Sequence, residues 1–284
     1  MRIAIPNKGR LCEPTIELLE RAGIRVVDSN GRRLYGKTNY ESISILFARA
    51  QDIPRYVESG AADAGITGLD LIKEKNADVE LVTKLNMGRC KVVLAVPENS
   101  RIRRPSQLKG SRIATALVNV TKQYLEDKGI KAQVVELSGA VELAPYLGIA
   151  DGIIDQLSTG TSLAVNNLRI VDTLFESTAC FIANKSSLSS MRQEIEEVKF
   201  SFEGLVTAEE KRYVMANVTS DETLKKVIAV MPAMESPTVL KLAKEGEYAV
   251  HSVVDERDLM STVRKLKNAG AKDILVFGMG RVIL

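Results

Sequence analysis

The sequence predicts an α/β protein: two lobes, followed by a small C-terminal domain. Three observations carry this. From residue 1 to about residue 205, short β-branched runs alternate with helical stretches, the order that builds open, mainly parallel sheets. Several of these strand-like runs end in loops of Gly, basic and hydroxyl residues, and in such sheets ligands bind at the carboxyl ends of strands. Past Glu210 the order becomes strand, helix, strand, strand, helix, strand over roughly 75 residues, a ferredoxin-like βαββαβ unit.

Composition narrows the function. A chain of 284 residues, 45% hydrophobic, can bury a substantial core in two or three domains. Mean hydropathy is near zero, and no apolar run approaches the roughly 18 residues of a membrane span. The opening Met1-Arg2-Ile3-Ala4-Ile5-Pro6 reads as a strand and not as a signal peptide. Cys12, Cys90 and Cys180 are scattered and odd in number, which argues against a disulfide framework and fits a reducing, cytoplasmic setting. A net charge of +3 without a long basic run, 5% aromatics and no Trp exclude nucleic-acid binding by base stacking and leave small anionic substrates. The single histidine, His251, excludes a multi-His metal site and argues against a Ser/His/Asp triad.

Taken in order, residues 2–6 read as a buried strand, and a helix with Pro14 in its first turn runs to Ala22, where Gly23 stops it. Lys8 and Arg10 stand at that strand's carboxyl end with Gly9 between them, either a ligand site or a solvated basic loop. Residues 41–48 form the next strand, and Arg49 opens its C-terminal loop with the same two readings. A short helix at 53–59 follows. The run Gly65-Ile66-Thr67-Gly68 is a short buried strand that places Thr67, Gly68 and Asp70 at its carboxyl end. This run also occurs in two-lobed periplasmic-type binding folds, so it marks architecture more than chemistry. Residues 79–84 are a strand, and 91–97 are an apolar strand crossing to the second lobe. Lys91 is a phosphate ligand or an edge-strand cation. Residues 98–108 are a surface connection, 112–116 a strand, and 118–128 a helix with Val120, Tyr124 and Leu125 on one face. Strands at 168–175 and 180–183 return the chain to the first lobe, and a helix spans 188–205.

Residues 133–163 organise the rest. A β-branched strand ends at Ser138-Gly139, a short helix carries Val141, Leu143, Ala144 and Leu147 on one side, and Gly148 stops it. A second strand, Gly152-Ile153-Ile154-Asp155, runs into Ser158-Thr159-Gly160-Thr161-Ser162, and Leu163 opens a helix. Free amides at a helix start, four hydroxyls and a glycine that admits close backbone approach make an anion cradle. Asp155 would repel phosphate, so a carboxylate there suits ribose hydroxyls or a magnesium ion. Carboxylate first and hydroxyl loop second suggest a sugar carrying phosphates. The alternative is an Asp at a strand end beside a Ser/Thr helix cap.

Glu142, Gly148, Ala150, Ile153, Asp155, Thr159, Gly160 and Leu163, at these intervals, resemble the signature of the ATP phosphoribosyltransferase family, whose loop binds 5-phosphoribosyl diphosphate. Two positions depart: Gln156 stands where the family usually has an aliphatic residue, and Ser162 where it usually has Thr. Gln156 is expected to weaken strand packing more than the site. The resemblance extends along the whole chain, through the Lys8-Gly9-Arg10-Leu11 loop and the residue 63–68 run. It implies a periplasmic-binding-protein-like catalytic part, with lobe I at 1–90 and 185–211 and lobe II at 91–184, and a regulatory domain at 212–284 that binds histidine.

The implied reaction transfers the phosphoribosyl group to N1 of ATP and releases pyrophosphate, the first step of histidine biosynthesis. Its implied assignments are Ser158 to Ser162 on the 5-phosphate, and Asp155 with Glu142 on the ribose hydroxyls or Mg2+. Lys8, Arg10 and Arg49 would bind pyrophosphate or ATP phosphates, with Asp70 also in the cleft. Met234, Ser236 and Thr238 resemble the family's effector-binding run and otherwise read as a Ser-Pro turn before a strand. The resemblance further implies a homo-oligomer, dimer or hexamer. A phosphoribosyltransferase for another base, a two-lobed solute receptor and a non-catalytic regulatory subunit are the competing classes.

Overall fold

The computed structural model describes residues 1–27, 34–158, 163, 165–234 and 236–283. They form two compact units, Met1–Lys199 and Phe200–Leu284. The sequence placed the start of the second unit at residue 212. The contact boundary falls earlier, inside helix α6 (Arg192–Glu209). Within the second unit, the Val282 N–H donates to the Gly204 carbonyl and ties the end of the chain to that helix.

The first unit holds two sheets. One has six strands in the order β2-β3-β1-β4-β11-β5, formed by Tyr35–Lys37, Ser44–Ala48, Arg2–Pro6, Ala64–Gly68, Ala179–Ala183 and Glu80–Lys84. Helices α1 (Cys12–Arg21), α2 (Ile53–Glu58) and α3 (Leu69–Lys75) follow β1, β3 and β4. The other has five strands in the order β10-β6-β9-β7-β8, formed by Leu168–Ser177, Cys90–Pro97, Gly152–Leu157, Arg112–Thr115 and Gln133–Glu136, with α4 at Val118–Asp127. Helices α5 (Lys185–Ser190) and α6 stand where the sequence suggested one helix over 188–205. The edge strand β2 was not anticipated.

Both sheets are more mixed than expected. β1 is parallel to β3 and β4, and β7 to β8 and β9. The strands that carry the chain between sheets run the other way: β6 pairs antiparallel with β9 and β10, and β11 with β4 and β5. Only Thr178 separates β10 of the second sheet from β11 of the first. The return to the first sheet therefore falls at Thr178, before the lobe boundary after 184 suggested by the sequence, and β10 stays with the second sheet.

Burial explains the apolar runs. β6 alternates Val92 and Leu94 into one core cluster with Val93 and Ala95 into another, so both faces of the second sheet are covered. The helix expected at 141–147 is a single 3₁₀ turn, Val141–Leu143. Only Val141 and Ala144 are buried there, Leu147 is 62% exposed, and Gly148 at φ +70° ends the segment. Pro145 has no N–H to continue a helical ladder.

The first and second sheets are joined by a charged cap. Leu117 at the start of α4 offers no side-chain cap. The buried Glu74 carboxylate of α3 accepts from the Asn119 N–H at 2.9 Å and the Val120 N–H at 3.1 Å instead. A carboxylate on free amides at a helix start is the favourable polarity.

The second unit has four antiparallel strands in the order β13-β14-β12-β15, formed by Thr238–Lys241, Tyr248–Asp255, Lys211–Val218 and Lys272–Gly278. With α7 (Asp221–Val230) and α8 (Leu259–Asn268) it is the expected βαββαβ unit. Val214, Ala216, Val218 and Val250 pack with Val227 and Leu266 of the helices. Ser220 caps α7 by accepting from the Thr223 N–H.

Replacing Glu74 with Ala should lower stability by about 1–2 kcal/mol, the usual cost of losing an N-terminal cap. A urea midpoint shifted down at unchanged slope is the expected result.

Candidate active site

Four strand ends supply the site. After β1, the loop Asn7–Leu11 turns tightly on Gly9, whose φ of +81° suits glycine, and the Cys12 N–H donates back to the Gly9 carbonyl at 3.1 Å. This exposes Lys8 and Arg10. After β3, Arg49 is exposed, and the loop is held by the fully buried Thr67, whose hydroxyl donates to the Ala50 carbonyl at 2.8 Å. Thr67 is therefore a support for the loop and not a ligand group.

After β4 comes Asp70, in the first turn of α3 and with no exposed surface. Its Oδ1 accepts from the Ser177 hydroxyl at 2.5 Å, and its Oδ2 accepts from the Gln156 side-chain amide. Its backbone N–H donates to Ser177 Oγ at 3.1 Å. A Cβ on Gly68 would overlap the Asp70 carboxylate, so glycine is needed there. Lys8, Arg10, Arg49, Asp70 and Gln156 line one cleft of about 390 Å³. Asp70 was expected in the cleft, which it lines. It lies beneath the surface, and its partners among the side chains are Ser177 and Gln156.

Arg10 reaches from the first sheet's loop to the second sheet's strand ends. Its Nη1 donates to the Gly88 carbonyl at 3.1 Å and faces Ser158 Oγ at 3.4 Å. Its Nη2 lies 3.1 Å from Cys90 Sγ and 3.5 Å from Gln156 Oε1. Burial pushes the Cys90 thiol up, so all four of these partners are neutral and leave the guanidinium charge for an anion. The edge-strand reading of Lys91 does not hold: β6 is an interior strand, and Lys91 pairs with Glu176 of the neighbouring β10 at 3.4 Å.

At the carboxyl end of β9, Asp155 Oδ1 accepts from the Gln156 N–H at 2.8 Å. Burial pushes the Asp155 carboxyl above its ordinary value of 3.8. The Gln156 N–H opposes that rise, and the Glu142 carboxylate adds to it. Glu142 sits half-buried in the 3₁₀ turn. The two carboxylates are thus electrostatic neighbours. Among the described residues, no group of three or more His, Cys, Asp or Glu could hold a metal ion unaided. Two carboxylate oxygens beside a phosphate-bearing ligand do fit the way Mg2+ is held, by one or two carboxylates plus substrate phosphates.

Ser158 is exposed just beyond β9. Thr159, Gly160, Thr161 and Ser162 lie outside the described residues. In the second unit, Met234 is 52% exposed, and Ser236 and Thr238 are exposed beside and on the edge strand β13. Sequence reasoning missed Gln156 as a cleft group, Cys90 as a partner of Arg10 and Ser177 as a partner of Asp70. Ser177 is 107 residues from Asp70, and no local pattern signals that pairing.

A family model described as ATP phosphoribosyltransferase matches residues 49–204. The chain belongs to the ATP phosphoribosyltransferase family. A second model, the HisG C-terminal domain, matches residues 208–281. The ATP phosphoribosyltransferase of Methanothermobacter thermautotrophicus is 47% identical over 285 residues, covering 100% of this chain and 99% of that protein. That of Ignicoccus hospitalis is 46% identical, with 100% of both chains covered. The solved ATP phosphoribosyl transferase (HisG:HisZ) complex from Thermotoga maritima contains a chain with a TM-score of 0.63 and 31% identity, covering 72% of this chain and 98% of that one.

A carboxyl whose folded pKa is raised stabilises the fold most below its ordinary value, and that contribution is lost as pH rises through the folded value. Asp155→Asn keeps the acceptor for the Gln156 N–H and removes the charge. Its melting temperature should therefore exceed wild type at neutral pH, with the difference closing as pH falls through the raised folded value and gone below about 4.

Proposed function

We propose that this chain transfers the 5-phosphoribosyl group of 5-phosphoribosyl diphosphate to N1 of ATP and releases pyrophosphate, the first step of histidine biosynthesis. The observation that carries the site assignment is Asp155, paired electrostatically with Glu142 at the strand end that runs into Ser158, with Arg10 reaching the same place from the other sheet. The full-length likeness to ATP phosphoribosyltransferases supports the activity.

Adenine N1 brings its own lone pair and needs no strong base. As its bond to the anomeric carbon forms, the bond from that carbon to pyrophosphate breaks, and positive charge gathers on the ribose ring. Asp155 and Glu142 hold the ribose hydroxyls and favour that charge. Lys8, Arg10 and Arg49 take the pyrophosphate or the ATP phosphates. Ser158, with Thr159 to Ser162, takes the 5-phosphate. Mg2+, held by Asp155 with Glu142 and the substrate, would supply further neutralisation of pyrophosphate. Positioning and preorganised charge are the source of rate. The Phe200–Leu284 unit is the receptor for histidine as feedback inhibitor, with Met234, Ser236 and Thr238 at its edge strand. The assembly is a cytoplasmic homo-oligomer.

Phosphoribosyl transfer from the labelled diphosphate to a panel of nucleotides tests this. ATP should be the acceptor, Asp155→Asn should lower kcat by about a hundredfold or more, and millimolar histidine should inhibit the wild type. Turnover near wild type in Asp155→Asn would remove that carboxylate from the mechanism, and indifference to histidine would remove the receptor role.

A further inference from the structure

The Gln156 side chain occupies a place that the activity does not by itself explain. Alternation along β9 puts Ile154 into the cluster with Val92, Leu94 and Ile113, and Ile153 into the opposite cluster with Val93 and Ala95. Asp155 shares the Ile153 side and Gln156 the Ile154 side. Gln156 is half-buried, and its side chain finds polar partners. Its amide donates to Asp70 Oδ2, and its Oε1 lies 3.5 Å from Arg10 Nη2. Asp70 is in turn fixed by Ser177 at the end of β10.

The ladder between β9 and β6 ends with Leu157 opposite Lys91. Ser158, the first hydroxyl of the run, is thus the first residue without a strand partner. A tether two residues earlier sets where that run begins. A carboxamide is suited to this: it donates to a carboxylate with one end and accepts from a guanidinium with the other. An aliphatic side chain does neither, and a carboxylate would repel Asp70.

We infer that Gln156 is a positioning residue, which binds the buried Asp70 and so holds the outer end of β9, with Ser158 just beyond it, against Arg10 for the sugar phosphate. The inference rests on the reading that residues 158–162 take the 5-phosphate. Gln156 acts through Ser158 and Arg10 and need not touch the reacting atoms.

Steady-state kinetics of the full-length protein test it. Gln156→Leu should raise KM for 5-phosphoribosyl diphosphate about tenfold, or ~1.4 kcal/mol, at saturating ATP. KM for ATP should stay within about twofold, and Asp70→Asn should add little in the Gln156→Leu background, because the two act as a unit. Gln156→Asn, one methylene too short to reach, should move the same constant in the same direction and serves if the Leu variant does not fold. An unchanged KM for the sugar phosphate, equal rises in both KM values, or a loss that follows the melting temperature alone would overturn the inference. Ser158→Ala separates the two readings. If it raises that KM while Gln156→Leu does not, only the positioning role fails; if Ser158→Ala and Asp155→Asn both leave sugar-phosphate binding untouched, the assignment of the site fails.

Discussion

A carboxylate with no solvent exposure joins the ends of strands from two sheets. Asp70 lies in the first turn of α3, where free amides favour negative charge. An unpaired charge in that position would be costly, so its two oxygens must be met. Ser177 meets one from the end of β10, and Gln156 meets the other from the end of β9. Gly68 clears the space for it. Loss of any of these partners would leave a buried charge short of a hydrogen bond, and this requirement holds the strand ends of the second sheet against those of the first. The Glu74 cap on α4 repeats the device farther along the same helix.

With that junction fixed, the electrostatics of the cleft divide by depth. The acidic group at the junction is buried and satisfied, and the basic groups Lys8, Arg10 and Arg49 are exposed around it. An anion entering the cleft meets cations whose named partners, for Arg10, are neutral. Asp155 and Glu142 form the opposite case. Burial raises the Asp155 carboxyl, and the neighbouring Glu142 carboxylate raises it further. A fold selected for stability alone would not keep that pair, whereas a ligand with hydroxyls, or one carrying a cation, relieves it. Stability given up at a site of this kind is a common mark of function.

Much of this was legible in the residues. The βαββαβ tail followed from its element order, and the strand ends bearing Lys8, Arg10, Arg49 and Asp155 followed from short apolar runs that stop at Gly or a polar residue. What was not legible came from distance along the chain. β11 sits between β4 and β5, one residue after β10 of the other sheet, and nothing local announces that pairing. Asp70 was placed in the cleft because it follows a strand, but its pairing with a serine 107 residues away had no local signal. Gln156 read as weakening strand packing because the family usually has an aliphatic residue there; its partners come from residues 10 and 70. Residues 141–147 kept helical spacing, but Pro145 limited them to a single 3₁₀ turn.

The central claim is that the end of β9, from Asp155 onward, grips an activated sugar phosphate. A crystal structure of the protein with 5-phosphoribosyl diphosphate and Mg2+ tests it most directly. The account predicts ribose hydroxyls or the ion on the Asp155 carboxylate, with the 5-phosphate beside Ser158 and the four residues that follow. Density for the sugar elsewhere, with Asp155 and Ser158 touching no part of it, would contradict the account.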